Sequence, residues 1–90
     1  MTSETDIYFW TDREERAYSR LRHHGGHWRA EWGHRDPPGG DGYLVQGQHE
    51  TSVREDAVRW MLDHIRAVSI EPGEAERVEA QLRSALAEAA

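Results

Sequence analysis

The chain has 90 residues, a net charge of −6, no cysteine and no lysine. That length suits one small domain with a modest core. Without thiols there is no disulfide, thiolate zinc site or cysteine nucleophile, and without lysine there is no Schiff-base amine or phosphate-loop lysine.

Residues 1–6 are mostly polar and read as a frayed end. They lack the basic and apolar regions of a secretory signal, and no apolar run approaches the roughly 18 residues of a membrane span, so a cytoplasmic protein is expected. Residues 7–11, IYFWT, are aromatic and β-branched and predict a strand. Alternation puts Tyr8 and Trp10 on one face and Ile7, Phe9 and Thr11 on the other. Residues 12–15 are polar enough for a turn, and a second strand runs from 16 to 24.

Gly25-Gly26 predicts a two-residue hairpin turn, because a type I′ turn needs positive φ at both centres. The register follows: His24 faces His27, His23 faces Trp28, Arg22 faces Arg29, Leu21 faces Ala30, Arg20 faces Glu31 and Ser19 faces Trp32. One face then carries Ala17, Ser19, Leu21, His23, Trp28, Ala30 and Trp32. The other carries Tyr18, Arg20, Arg22, His24, His27, Arg29 and Glu31. A one-residue slip would spoil this sorting.

Residues 35–42, RDPPGGDG, predict a loop, since proline cannot join a ladder and three glycines follow. YLVQGQ, residues 43–48, reads as a further strand, with Gly47 marking a bulge or a weak point. Ser52-Val53-Arg54-Glu55 has the form of a capping box, which opens a helix over 52–68. Its apolar stripe is Val53, Ala57, Trp60/Met61, His64/Ile65 and Val68, and Glu55–Arg59 is a favourable i,i+4 pair. Pro72 suits a first turn, so a second helix is expected over 73–88. It carries Ala75, Val78, Leu82, Ala85/Leu86 and Ala89 on one stripe, with Glu79–Arg83 as an i,i+4 pair.

The order predicts an α+β fold: an antiparallel three- to four-stranded meander over 7–48, then two α-helices packed on one face, in a single domain over 1–90.

Charge is unevenly spread. Residues 16–35 hold five arginines against one acid, Glu31, a net +4 that leaves −10 for the remainder. On the hairpin's polar face Arg22 opposes Arg29, and like charges directly across a sheet repel. An arginine cluster beside Tyr18 suits oxyanions, because guanidinium binds them as a fork. The anion- or partner-binding candidates are therefore Tyr18, Arg20, Arg22, His24, His27 and Arg29. The competing readings have the acids of residues 12–15 or of the second helix fold back over this face, or leave it plainly solvated.

The histidines of HHGGH suggest a metal, but only His24 and His27 share a face and arginines flank them, so no metal or other cofactor is expected. Trp28, Trp32 and Trp60 are assigned to the core. Tyr8 and Trp10 are interface candidates if exposed. The acids Glu71, Glu74, Glu76 and Glu79 form a second, acidic pole near the start of helix two. Nucleophile-elbow, phosphate-loop and zinc-protease motifs are absent, and Ser52 is explained as a cap, so no enzyme is expected.

These observations point to a small non-catalytic protein-binding or regulatory domain, of the antitoxin, immunity or phage and plasmid accessory kind. Its partner would be another protein or a second copy in a homodimer. The alternative is a nucleic-acid or phosphate-anion binder using the arginine-rich hairpin. Net acidity disfavours nucleic acid, whose binding rests on phosphate contacts.

Overall fold

In the computed structural model, which describes residues 5–37 and 42–89, Gly25 and Gly26 have φ of 54° and 86° and close the expected hairpin. They join β2 (Ala17–His24) to β3 (His27–Arg35). The pairing runs from His24↔His27 through Arg22↔Arg29 and Leu21↔Ala30 to Ala17↔His34, the register that the turn implies. With β1 (Thr5–Thr11) and β4 (Tyr43–Thr51) on its flanks, the hairpin forms the centre of a four-stranded antiparallel meander, β1-β2-β3-β4. Two helices follow, α1 (Arg54–Val68) and α2 (Glu74–Ala89).

Both helices pack on the face that carries Leu21 and Ala30. The core joins those residues and Trp10 to Ala57, Val58, Met61, Leu62 and Ile65 of α1 and to Val78, Leu82 and Leu86 of α2. α1 lies over β2, β3 and β4, while α2 lies over β1 and against α1. The second helix thus packs on its own chain. Glu55 of α1 reaches across to Arg83 of α2, with Nη2 to Oε2 at 3.0 Å, and Arg83 also meets Glu79 at 3.3 Å. The expected Glu79–Arg83 pair is present, but Glu55 pairs between helices rather than with Arg59.

Several boundaries move. Thr5 and Asp6 belong to β1 and are not frayed. Residues 1–4, and 38–41 of the loop expected over 35–42, lie outside the described residues, whereas Arg35 ends β3. β4 runs on to Thr51, pairing His49 with Ala30 and Thr51 with Trp28. A bulge in β4 falls between Val45 and Gly47. Gly47 is needed there, since a Cβ would enter the van der Waals shell of the Trp32 indole.

The capping box does not form: α1 starts at Arg54, Val53 is its N-cap, and no side chain caps it. Thr51 Oγ1 instead accepts from the Val53 N–H at 3.1 Å. The buried stripe of α1 is turned so that Val58 and Leu62 point inward, while Val53 and Val68 are exposed.

Candidate docking face of the sheet

The other face of the sheet is covered by no described helix or strand. Its side chains fall into rows across all four strands. The row nearest the hairpin turn is Asp6, Arg22, Arg29 and Glu50; the next is Phe9, Arg20, Glu31 and Gln48; the third is Thr11, Tyr18, Gly33 and Val45. Arg35 and Tyr43 pair beyond them.

The first row corrects the expectation of an unneutralised arginine pair. Its charges read minus, plus, plus, minus. Arg22 Nε donates to Asp6 Oδ1 at 2.7 Å, and Glu50 Oε1 stands 3.9 Å from Arg29 Nη1. The competing reading was close, but the acids come from β1 and β4. Glu15, in the turn between β1 and β2, reaches Arg35 instead, at 3.8 Å.

The middle rows do not fit the competing reading of a plainly solvated face. Tyr18 is fully buried and Glu31 is 2% exposed. The Tyr18 ring stacks on Phe9 with centroids 5.9 Å apart and meets Tyr43 edge-on at 5.0 Å, so aromatics from both outer strands enclose it. Inside this shelter the Tyr18 hydroxyl donates to Glu31 Oε2 at 3.0 Å, and Arg20 Nη2 donates to the same oxygen at 2.9 Å. Burial, helped by the bond to the Glu31 carboxylate, pushes the Tyr18 phenol up to about 12.

Around this buried centre the aromatic patch remains open: Phe9 is 40% exposed, Tyr43 43% and Val45 45%. The Arg35 guanidinium lies over the Tyr43 ring, 5.5 Å from its centroid. Arg20 is largely packed down beside Glu31. Tyr, Phe and Arg are the residues that protein interfaces enrich, and a contiguous apolar patch on an uncovered face is their usual setting.

Tyr8 and Trp10, the other interface candidates, face the helices instead. Trp10 is 5% exposed within the core, and the Tyr8 hydroxyl donates to Gln81 of α2 at 2.5 Å. A bulge between Asp6 and Tyr8 displaces Ile7 from the alternation, so Ile7 also packs against the core and Phe9 stands on the open face.

The acidic pole is tied into the chain as well. Arg13 meets Glu71 at 3.1 Å, Arg77 pairs with Glu74, and Arg83 takes Glu79. Glu76 is exposed on α2.

The histidines largely pair with tryptophans on the helix side. His23 stacks on Trp28 at 4.2 Å, Trp32 on His64 at 4.4 Å and His49 on Trp60 at 5.8 Å. These tryptophans are partly buried and border the core; they are not sealed inside it. Burial, with His34 nearby, holds His64 below the ordinary histidine range. His49 also meets Asp56 at 2.8 Å, and that bond lowers the Asp56 carboxyl. His24 and His27 are exposed at the hairpin tip. Among the described residues no group of three or more His, Asp or Glu side chains is arranged to hold a metal ion, and no helix is long and apolar enough to cross a membrane.

Comparison with protein-family models, with curated proteins and with solved structures finds no match to this chain.

Proposed function

We propose that this is a non-catalytic docking domain whose partner protein sits on the open face of the sheet. The observation that carries this reading is the patch of Phe9, Tyr43 and Val45, exposed around a buried Tyr18 on the face opposite both helices. Such a patch supports a partner that places an apolar side chain at its centre. Arg20 and Arg35 border it, and Arg20 has five N–H donors, more than the Glu31 carboxylate can use. The favoured partner therefore flanks its apolar residue with carboxylates. A regulatory role, exerted by occupying or releasing such a partner, is the simplest use of a domain built this way.

An open antiparallel sheet with exposed aromatics is also how some single-strand RNA readers stack bases. Here Asp6, Glu31 and Glu50 lie among the arginines and the chain carries −6 overall, which opposes a polyanion.

The test is capture from source lysate by three forms of the chain: wild type, Phe9→Ser/Tyr43→Ser, and Val68→Ser/Ile70→Ser. The last pair changes exposed apolar residues at the end of α1 and just beyond it. The reading expects one stoichiometric protein retained by wild type and by the Val68/Ile70 control, and lost with the Phe9/Tyr43 variant, whose circular dichroism remains native. Equal retention by all three, or recovery of nucleic acid in place of protein, overturns it.

A further inference from the structure

We propose that the chain forms a two-fold dimer in which the outer edge of β4 pairs with that of a second copy, antiparallel and centred on Leu44. The proposal stands apart from the docking reading, because Leu44 lies on the other side of the sheet from Phe9, Tyr43 and Val45.

β4 is an edge strand. It pairs with β3, and no described strand runs along its outer side. The Gly42 carbonyl accepts from the Asp36 N–H at 3.0 Å, and a Cβ on Gly33 would strike the Leu44 carbonyl oxygen, so both carbonyls point into the sheet. Backbone groups alternate along a strand, and those of Tyr43 and Val45 therefore point outward. An outward row of N–H and C=O groups is a template for another strand.

The side chains make this edge apolar on both faces. Tyr43 and Val45 are exposed on the open face. Leu44 pairs with His34 on the helix side, yet it is 53% exposed, so α1 leaves it uncovered. Residues 42–48 hold no Asp, Glu, Arg or His, the longest such run in the chain. Edges are ordinarily blunted by charge, proline or a bulge. The opposite edge is blunted twice, since β1 carries Asp6 and a bulge between Asp6 and Tyr8. In β4 the bulge between Val45 and Gly47 ends the regular stretch but leaves residues 43–45 unprotected.

The occupant follows from symmetry. Pairing centred on Leu44 sets Tyr43 opposite Val45 of the second copy, and Val45 opposite its Tyr43. These residues have outward backbone groups, so each pair exchanges both N–H···O bonds. An aromatic ring then meets a β-branched side chain on the open face, leucine meets leucine on the helix side, and no charge is opposed. Centring the axis on Val45 instead would force Gln46, the bulged residue, into the ladder. Every copy carries this complement, and the two open faces become one continuous surface. The pairing is short and each copy carries −6, so the dimer is weak, with a Kd of about 100 µM, and salt strengthens it by screening.

The experiment is sedimentation velocity of the full chain from about 10 µM to about 1 mM, a range that brackets this Kd, at low and high salt. A shift from monomer to dimer is expected, stronger at high salt, with the Tyr43 and Val45 amide signals moving over the same range in NMR spectra. Leu44→Asp and Leu44→Arg each set like charges across the axis and should weaken association at least tenfold. Mixed together, they oppose unlike charges and should restore a heterodimer. Both alter an exposed edge side chain, and native circular dichroism confirms their fold. Val68→Ser/Ile70→Ser removes the exposed apolar residues at the end of α1 and just beyond it and should dimerise as wild type does.

The proposal is overturned by a monomer at every concentration, by species that grow beyond the dimer, or by a dimer that survives in both Leu44 variants. It is equally overturned if mixing those variants restores nothing, or if Val68→Ser/Ile70→Ser abolishes the dimer. The docking reading fails separately, on capture by the Phe9/Tyr43 variant, and Leu44→Asp should retain the captured protein.

Discussion

Replacing Glu31 with alanine should be among the most damaging single changes on the open face. Its Oε2 accepts from both the Tyr18 hydroxyl and the Arg20 guanidinium, and Glu31 itself is 2% exposed. Without the carboxylate, the fully buried Tyr18 hydroxyl loses its acceptor, at a cost of about 1–3 kcal/mol. Arg20 loses its counter-charge, but its side chain keeps 22% exposure, so water recovers part of that loss and about 1–2 kcal/mol remains. The expected total is about 2–5 kcal/mol, a large share of the roughly 5–13 kcal/mol that a chain of this length commands. Glu31→Gln keeps an acceptor in place and should cost only about 1–2 kcal/mol.

Urea titration at pH 7 measures these values. Pairing Glu31→Gln with Tyr18→Phe in a double-mutant cycle isolates the shared bond, for which a coupling of about 1 kcal/mol is expected. The reasoning is refuted if Glu31→Ala costs no more than the exposed Glu14→Ala, or if the cycle is additive.

Other consequences follow from the same geometry. Gly33→Ala drives a methyl group into the Leu44 carbonyl of β4, and because the obstacle is backbone the loss should be about 3 kcal/mol or more; Gly47→Ala meets the Trp32 indole, which can shift off His64, and should cost less, about 1–3 kcal/mol, both read as shifts in urea midpoint. Tyr18 titrates at about 12 in the fold against about 10 in the unfolded chain, so its contribution is complete below pH 10 and about 2–3 kcal/mol is lost as pH rises from 10 to 12; in Tyr18→Phe that alkaline loss should shrink. His64 is held below the ordinary histidine value, so the unfolded chain takes up its proton first and stability falls as pH drops below about 6.5; a melting series in His64→Gln should be flatter between pH 7 and 5.

The parts of the fold that could be read directly were those set by local chemistry. Gly25-Gly26 specifies one turn type, and the alternation on either side then admits one register, so all of β2 and β3 pair as expected. The flanking strands are different. β1 carries large residues on both faces, and only its pairing with β2, Tyr8 with Leu21 and Phe9 with Arg20, decides that Tyr8 and Trp10 turn inward and Phe9 outward. His49, Glu50 and Thr51 look polar enough to end a strand, yet their ladder partners in β3 are already extended.

The same limit governed the site. Tyr18 and Glu31 were correctly placed on one face, but their burial depends on Phe9 and Tyr43, which lie on strands with no local signal for register. Asp6 and Glu50 neutralise Arg22 and Arg29 for the same reason, from strands whose pairing was not fixed by a tight turn. In α1, the stripe centred on Trp60 and His64 was offset because those two rings stack at the border of the core while Val58 and Leu62 fill it.

The docking reading is tested most directly by hydroxyl-radical labelling of the chain, free and bound to the partner it captures. Phe9 and Tyr43 are about two-fifths exposed on the open face, and Ile70, between the helices, is 87% exposed. Binding should protect Phe9 and Tyr43 strongly and leave Ile70 labelled as in the free chain. Protection of Ile70 with Phe9 and Tyr43 unchanged would place the partner on the other side of the molecule and contradict the account.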